Sequence, residues 1–217
     1  MTIQVMLGML GNGLIVSLEV FVVTLIGSLP LGMLVCLGRM SRFAPLRWLM
    51  RFYISILRGT PLMLQLFVVY YCPYYIFGVS AGTGYRLTAT FIAFILNYAA
   101  YFAEIYRSGL ESIPKGQYEA ATVLGYTKSQ TFFQIILPQV IKRILPAMGN
   151  EVITLVKDTS LAFAIGVSEM FTAAKAIAAS QRSMIAFAFA ALIYWVVNLV
   201  IEFVMSRFEK RLAYYHE

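Results

Sequence analysis

Charged side chains are scarce in this sequence. They make up 12% of its 217 residues, whereas 60% are apolar and the mean hydropathy is +0.78. A soluble domain carries about a quarter charged residues, so this chain reads as one dissolved in lipid. Histidine occurs once, at His216 in the tail, which leaves no metal set. Cysteine occurs twice, at Cys36 and Cys72, at opposite ends of different apolar runs, so both read as free thiols in packing. No GxxxxGK run is present, so the chain lacks a phosphate-cradling loop of its own. The apolar stretches hold scattered carboxylates but no nucleophile–base pair, which argues against an intramembrane enzyme. Residues 1–13 carry no charge and so lack the basic start of a cleavable signal peptide; they read as an interfacial lead-in that stays on the protein. The net charge of +7 sits at the ends of apolar runs rather than on one basic face, which excludes nucleic acid as the partner.

Long apolar runs are what the chain has in plenty. Five candidate spans lie at 14–37, 62–79, 87–105, 144–167 and 184–205, against a bilayer that needs about 20 residues per crossing. Thirteen Lys and Arg residues fall in 39–58, 107–143 and the tail, against Arg86, Lys175 and Arg182 on the opposite side. The positive-inside rule then puts the amino terminus outside and the carboxyl terminus inside, a parity five spans satisfy. The expected fold is all-α and integral to the membrane, one transmembrane domain over 1–217 with no second soluble domain.

The few polar residues inside the spans are the candidate functional set. Ser17, Thr24 and Ser28 share one face of the first span, either as helix packing or as part of a pathway, and Pro30 is expected to kink it. Glu19 lies off that stripe near the outer boundary. Residues 42–58 place Arg47, Arg51 and Arg58 on one face and apolar side chains on another, an amphipathic connector for the anionic inner leaflet. Gln65 lies deep in the second span, where an amide needs a partner or a ligand, and Tyr74 and Tyr75 fit an outer aromatic belt. Asn97, Tyr101 and Glu104 share a face of the third span, with Arg107 placed to pair with Glu104.

The fourth span carries Glu151, Lys157 and Asp158, each costing about 2.5–3.5 kcal/mol if left facing lipid at a helix centre. They must face protein or a water-filled cavity. Glu151 and Asp158 are seven positions apart, on one face about 10 Å apart along the axis, with Thr154 between them and Lys157 turned away. Two readings stand: an acidic face for the amino group or cationic side chain of a solute, with Gln65 and Asn97 supplying neutral hydrogen bonds, or structural pairing of Lys157 and Asp158 with other helices. Gly149 and Ser160 flank this segment and would let its backbone leave the regular helix, exposing amides to a carboxylate. The alanine-rich stretch 168–182 is helix-prone and expected outside.

Between the third and fourth spans, residues 114–138 read as a water-exposed helical hairpin. Pro114 suits a first helical turn and Gly125 a left-handed helix end. Thr127 and Gln130 have capping-box spacing for a second helix that runs apolar to Leu137 and is met by Pro138. Glu119, Ala120, Ala121, Gly125, Ile135, Leu137 and Pro138 match, at every spacing, the EAA signature of ABC importer permeases, and the hairpin resembles the cytoplasmic loop that couples those proteins to their motor. Arg58–Pro61, Asn97–Ile105 and Lys157–Leu161 resemble the polar amino-acid branch of that family, so the likeness covers roughly Asn12 to Arg211.

The resemblance implies a type I permease subunit of an ATP-driven amino-acid importer in a bacterial cytoplasmic membrane, with Glu119, Ala120, Ala121 and Gly125 as the coupling residues. It implies a dimer of ATP-binding cassette ATPases that holds ATP and magnesium, an external solute-binding protein, and a second permease subunit, identical or homologous, since five spans are too few to enclose a path. No cofactor or metal is expected on this chain. The expected pathway residues are Gln65, Asn97, Glu151, Thr154, Asp158 and Thr24, and two acids on one face lean toward a cationic amino acid. The alternative is a stand-alone ion-coupled carrier, which usually needs two repeated halves; none is found here.

Overall fold

A computed structural model describes residues 2–78, 82 and 84–212, and every regular element among them is helical. Val79, the expected end of the second span, and His216 lie outside the described residues. Helix α1 (Ile3–Arg39) begins far earlier than the span expected at 14–37. The expected interfacial lead-in is thus mostly helix. Met6, Leu10 and Gly13 are buried in it, and a side chain at Gly13 would meet the Met170 backbone at 2.7 Å, so tertiary packing holds these turns. Helix α1 packs along α4 (Tyr85–Glu111) through small residues, with Gly27 against Ile95 and Gly32 against Phe102 and Ala99. Close backbone approach through glycine and alanine is how helices associate without a hydrophobic driving force between them.

Helix α2 (Ala44–Gly59) stops where Thr60 precedes Pro61, because the proline ring pushes the residue before it out of helical backbone; Thr60 is extended at φ −123°. Helix α3 (Leu62–Phe77) then leaves at 110° to α2. Beyond α4, α5 (Lys115–Val123) forms the first arm of the hairpin. It ends in a Schellman arrangement: Gly125 takes φ +79°, its amide donates to Thr122 and the Tyr126 amide donates to Ala121.

The second arm departs from expectation. Thr127 and Gln130 do form the capping box that opens α6 (Lys128–Gln130). The chain then widens into a π turn at Thr131–Ile136 and continues straight through Pro138 into α7 (Leu137–Asp158). In an α-helix the ring of Pro138 would clash with the carbonyl of residue 134. The wider π turn just before it relieves that clash, and Gln139 donates its side-chain amide to the Ile135 carbonyl at 2.8 Å. Proline here does not end the helix, so the hairpin arm and the fourth span are one rod.

After Asp158 the rod tightens into a 3-10 segment (Thr159–Ile165) ending at Gly166, φ +76°. The departure from α geometry thus falls at Thr159, not Gly149, which packs beside Met205 of the last helix. Helix α8 (Met170–Gln181) follows, capped by Glu169, whose carboxylate accepts from the amides of Phe171 and Thr172. The helix-prone stretch is thus helical, and α8 packs between α1 and α9 (Ile185–Leu212), burying Met170, Ala174 and Ile177. Helices α1, α4 and α9 are each long and apolar enough to cross a bilayer, and the bent pairs α2–α3 and Lys128–Ile165 with α8 raise the candidate crossings from three to five.

Candidate functional site

A cavity of about 380 Å³ opens where α2 breaks into α3, between α4 and the end of α7. That volume lies within the range of small-molecule sites. Its walls carry Glu151, Thr154 and Asp158 from α7, Asn97, Tyr98 and Tyr101 from α4, and Thr60 and Pro61 from the break. The helical repeat explains the α7 contribution: 151, 154 and 158 form one stripe, while Lys157 turns away and is exposed. Asp158 accepts a hydrogen bond from the Tyr98 hydroxyl at 2.7 Å, so one carboxylate oxygen is tied to α4. Glu151 is half-buried on the same wall.

The deep amides are spoken for. Asn97, 4% exposed, donates to the Gln65 side-chain oxygen at 2.9 Å and to the Leu57 carbonyl at 3.0 Å. Gln65 in turn donates to Leu57, to the Thr60 carbonyl and to the Thr60 hydroxyl. Carbonyls at the end of α2 lack helical partners, and these two amides satisfy them. Gln65 and Asn97 therefore brace the break, with Asn97 also forming part of the cavity wall. Thr24 is elsewhere: it is fully buried on the α1 stripe with Ser17 and Ser28, and among the described residues its hydroxyl has no hydrogen-bond partner.

Below the cavity, Glu104 sits among three arginines. Arg107 forks onto both its oxygens, with Nε at 3.1 Å from each; Arg39 and Arg58 stand at 3.8 and 4.0 Å. The Arg58 guanidinium also lies 5.2 Å from the centre of the Tyr101 ring. The expected Glu104–Arg107 pair is present, and it ties together the ends of α1, α2 and α4.

The hairpin is the second half of the site. Glu119 and Ala120 are exposed on α5, whereas Ala121 is buried where α5 packs on the second arm. The tip shows large apolar side chains to solvent: Val123 is 87% exposed, Leu124 73% and Phe133 62%. Ile113, Ile136 and Val140 form a small core at its base, so the hairpin is held to the start of α7.

Residues 28–214 match the family of binding-protein-dependent transport system inner membrane components. The chain belongs to that family. The permease is 38% identical over 208 residues to the L-cystine transport system permease protein TcyB of Bacillus subtilis, covering 95% of this chain and 87% of that one. It is also 38% identical over 205 residues to the arginine transport system permease protein ArtQ of the same organism (93% and 91% covered). A putative glutamine transport system permease protein of Rickettsia felis is 34% identical over 202 residues (93% and 91% covered). Among solved structures, an amino acid ABC transporter crystallised with histidines superposes with a TM-score of 0.85 over 94% of both chains, at 33% identity. The inward-facing MetNI methionine transporter shares the fold, with a TM-score of 0.71 at 20% identity. This chain is thus a permease component of an amino-acid ABC importer with the type I permease fold, and the reading as a stand-alone ion-coupled carrier is not favoured.

Some residues that join the helices around the cavity and α8 escaped sequence reasoning. Tyr98 looks like one more aromatic in an apolar run, and only its position opposite Asp158 gives it a role. Glu169 is fully buried, although it lies in the helix-prone stretch 168–182 expected outside. Its signal was an N-cap acid ahead of Met170–Gln181. Arg86 donates to the Gly166 carbonyl at 3.1 Å and to the Tyr70 hydroxyl at 3.4 Å, tying the 3-10 segment to α4 and α3.

Proposed function

We propose that the permease carries a polar, preferentially cationic amino acid inward across a bacterial cytoplasmic membrane, with five crossings, the amino terminus outside and the carboxyl terminus inside. The observation that carries this reading is the pairing of Glu151 and Asp158 on one wall of a single cavity. Two carboxylates so placed match a solute bearing an α-amino group and a cationic side chain. The relatives named for arginine, cystine and glutamine transport leave the class of substrate to this acidic wall.

The work comes from a partner. An ATP-binding cassette ATPase dimer, holding ATP and magnesium, would receive the exposed tip around Glu119, Ala120, Val123 and Leu124. Because α7 continues from the hairpin without a break to Asp158, displacement of the tip reaches the cavity wall through one rod. ATP binding would draw two such hairpins, from this chain and a second permease subunit, toward each other, and hydrolysis would release them. An external solute-binding protein would deliver the amino acid.

The test is uptake into proteoliposomes carrying the whole complex, with labelled arginine, lysine, glutamine and cystine offered separately. Glu151→Gln is expected to lower uptake of the cationic solutes by about tenfold or more, as expected for loss of a charged hydrogen bond, and to spare neutral ones. Equal loss for all four would reject the cationic preference. Unchanged uptake would remove Glu151 from the pathway.

A further inference from the structure

Helix α2 presents three faces. Met50, Ile54 and Leu57 pack on the body of the protein. Trp48, Leu49, Phe52 and Ile56 form an exposed apolar stripe, with Trp48 67% exposed and stacked on Phe52 at 5.7 Å. Arg47 and Arg51 lie along the third face, and Arg42 just precedes the helix. Arg39 and Arg58 are engaged by Glu104, but among the described residues no acid pairs with Arg42, Arg47 or Arg51. No Asp or Glu occurs between Glu19 and Glu104, so the segment carries only positive charge.

The orientation follows from the break at Thr60–Pro61. At 110° to α3, α2 is 20° from perpendicular to it, so if α3 crosses the bilayer, α2 lies nearly in its plane. Its level is fixed by Gly38, which touches Met50, and by Arg58 beside Glu104, both at the α1 and α4 ends rich in arginine. An in-plane helix with an aromatic stripe and an adjoining arginine row matches the layering of acyl chains and phosphates at a leaflet boundary.

We propose that α2 is a docking surface for anionic phospholipid of the inner leaflet, with Trp48 and Phe52 seated at the acyl boundary and Arg42, Arg47 and Arg51 on headgroup phosphates. This goes beyond transport itself. The lipid would hold the α2–α3 break, and hence Thr60 at the cavity wall, in place from the membrane side.

Trp48 supplies the probe, because the chain has only one other tryptophan, Trp195. The full-length W195F protein is placed in phosphatidylcholine nanodiscs containing a fixed fraction of brominated phosphatidylglycerol or brominated phosphatidylcholine. Trp48 is expected to be quenched more strongly by the anionic lipid, with a relative association constant raised up to about fivefold per engaged arginine at low salt. The preference should fall as salt is raised. R42Q/R47Q/R51Q should bring the ratio to one, and R42K/R47K/R51K should keep it, which separates charge from folding. Equal quenching by the two lipids, or a preference that survives in the glutamine variant, would overturn the proposal. So would absence of quenching by either lipid, which would put a second copy or another protein against Trp48.

Discussion

Tyr98 is the residue on which the cavity's chemistry turns. It is 2% exposed, stacks on Phe94, meets the Phe102 ring at a tilt, and donates to Asp158. Tyr98→Phe preserves the aromatic packing but strips the half-buried Asp158 of its donor, a net hydrogen bond to a charged group of about 1.5–3 kcal/mol at most. The expected outcome is a protein that inserts and assembles normally yet transports more slowly; normal uptake by Tyr98→Phe would show the hydroxyl to be dispensable. Glu104 predicts differently. It is the carboxylate on which Arg39, Arg58 and Arg107 converge, so Glu104→Gln should lower the yield of folded protein in detergent. Gel filtration of the variant checks this, and an unchanged monodisperse yield would contradict it.

Among elements, the second arm of the hairpin and α7 form one continuous rod. Gly125 takes a left-handed φ that costs other residues about 1–2 kcal/mol. Gly125→Val should therefore splay the tip and lose co-purification with the ATPase, while membrane insertion is unaffected. Retained ATPase binding at wild-type level would count against the docking role. Pro138 makes a subtler prediction. With alanine there, the missing amide and the ring clash both disappear, and the reason for the π turn goes with them. Pro138→Ala is expected to rewind Thr131–Ile136 toward α geometry, turning the hairpin relative to α7 and reducing ATP-coupled uptake without abolishing ATPase binding. Wild-type uptake by that variant would show that the rod tolerates either register. The capping box and the Gly125 turn were legible in the sequence because both are local, set by four to six neighbouring residues. The passage through Pro138 was not, since a proline after an apolar run reads as a stop unless the preceding turn is known to widen.

At the scale of the whole molecule, sidedness is the claim to test. Lys115 and Lys128 flank the hairpin tip and should react with an impermeant amine reagent only in inside-out vesicles. Labelling of either from outside intact cells would place the hairpin on the wrong face. The same scale explains why α9, despite its apolar length, is barely buried within this chain. Trp195, Leu199 and Phe203 face outward, as expected if lipid or a second permease subunit completes the packing.

The class of protein, the family and the acidic face can be read along the chain. Scarcity of charge, the sidedness of arginine, the EAA spacing and the seven-residue step from Glu151 to Asp158 are one-dimensional patterns, and helical periodicity converts them directly into faces. Which polar groups satisfy one another emerges when the helices pack. Gln65 and Asn97, far apart in the chain, meet to cap the end of α2. Thr24 is buried on the inner face of α1, and Tyr98 reaches across to Asp158. Such pairings depend on helix crossings set by glycines at 13, 27 and 32 and by the turn at Thr60–Pro61. A buried hydrogen bond between distant helices has no signature along the chain until those crossings are made.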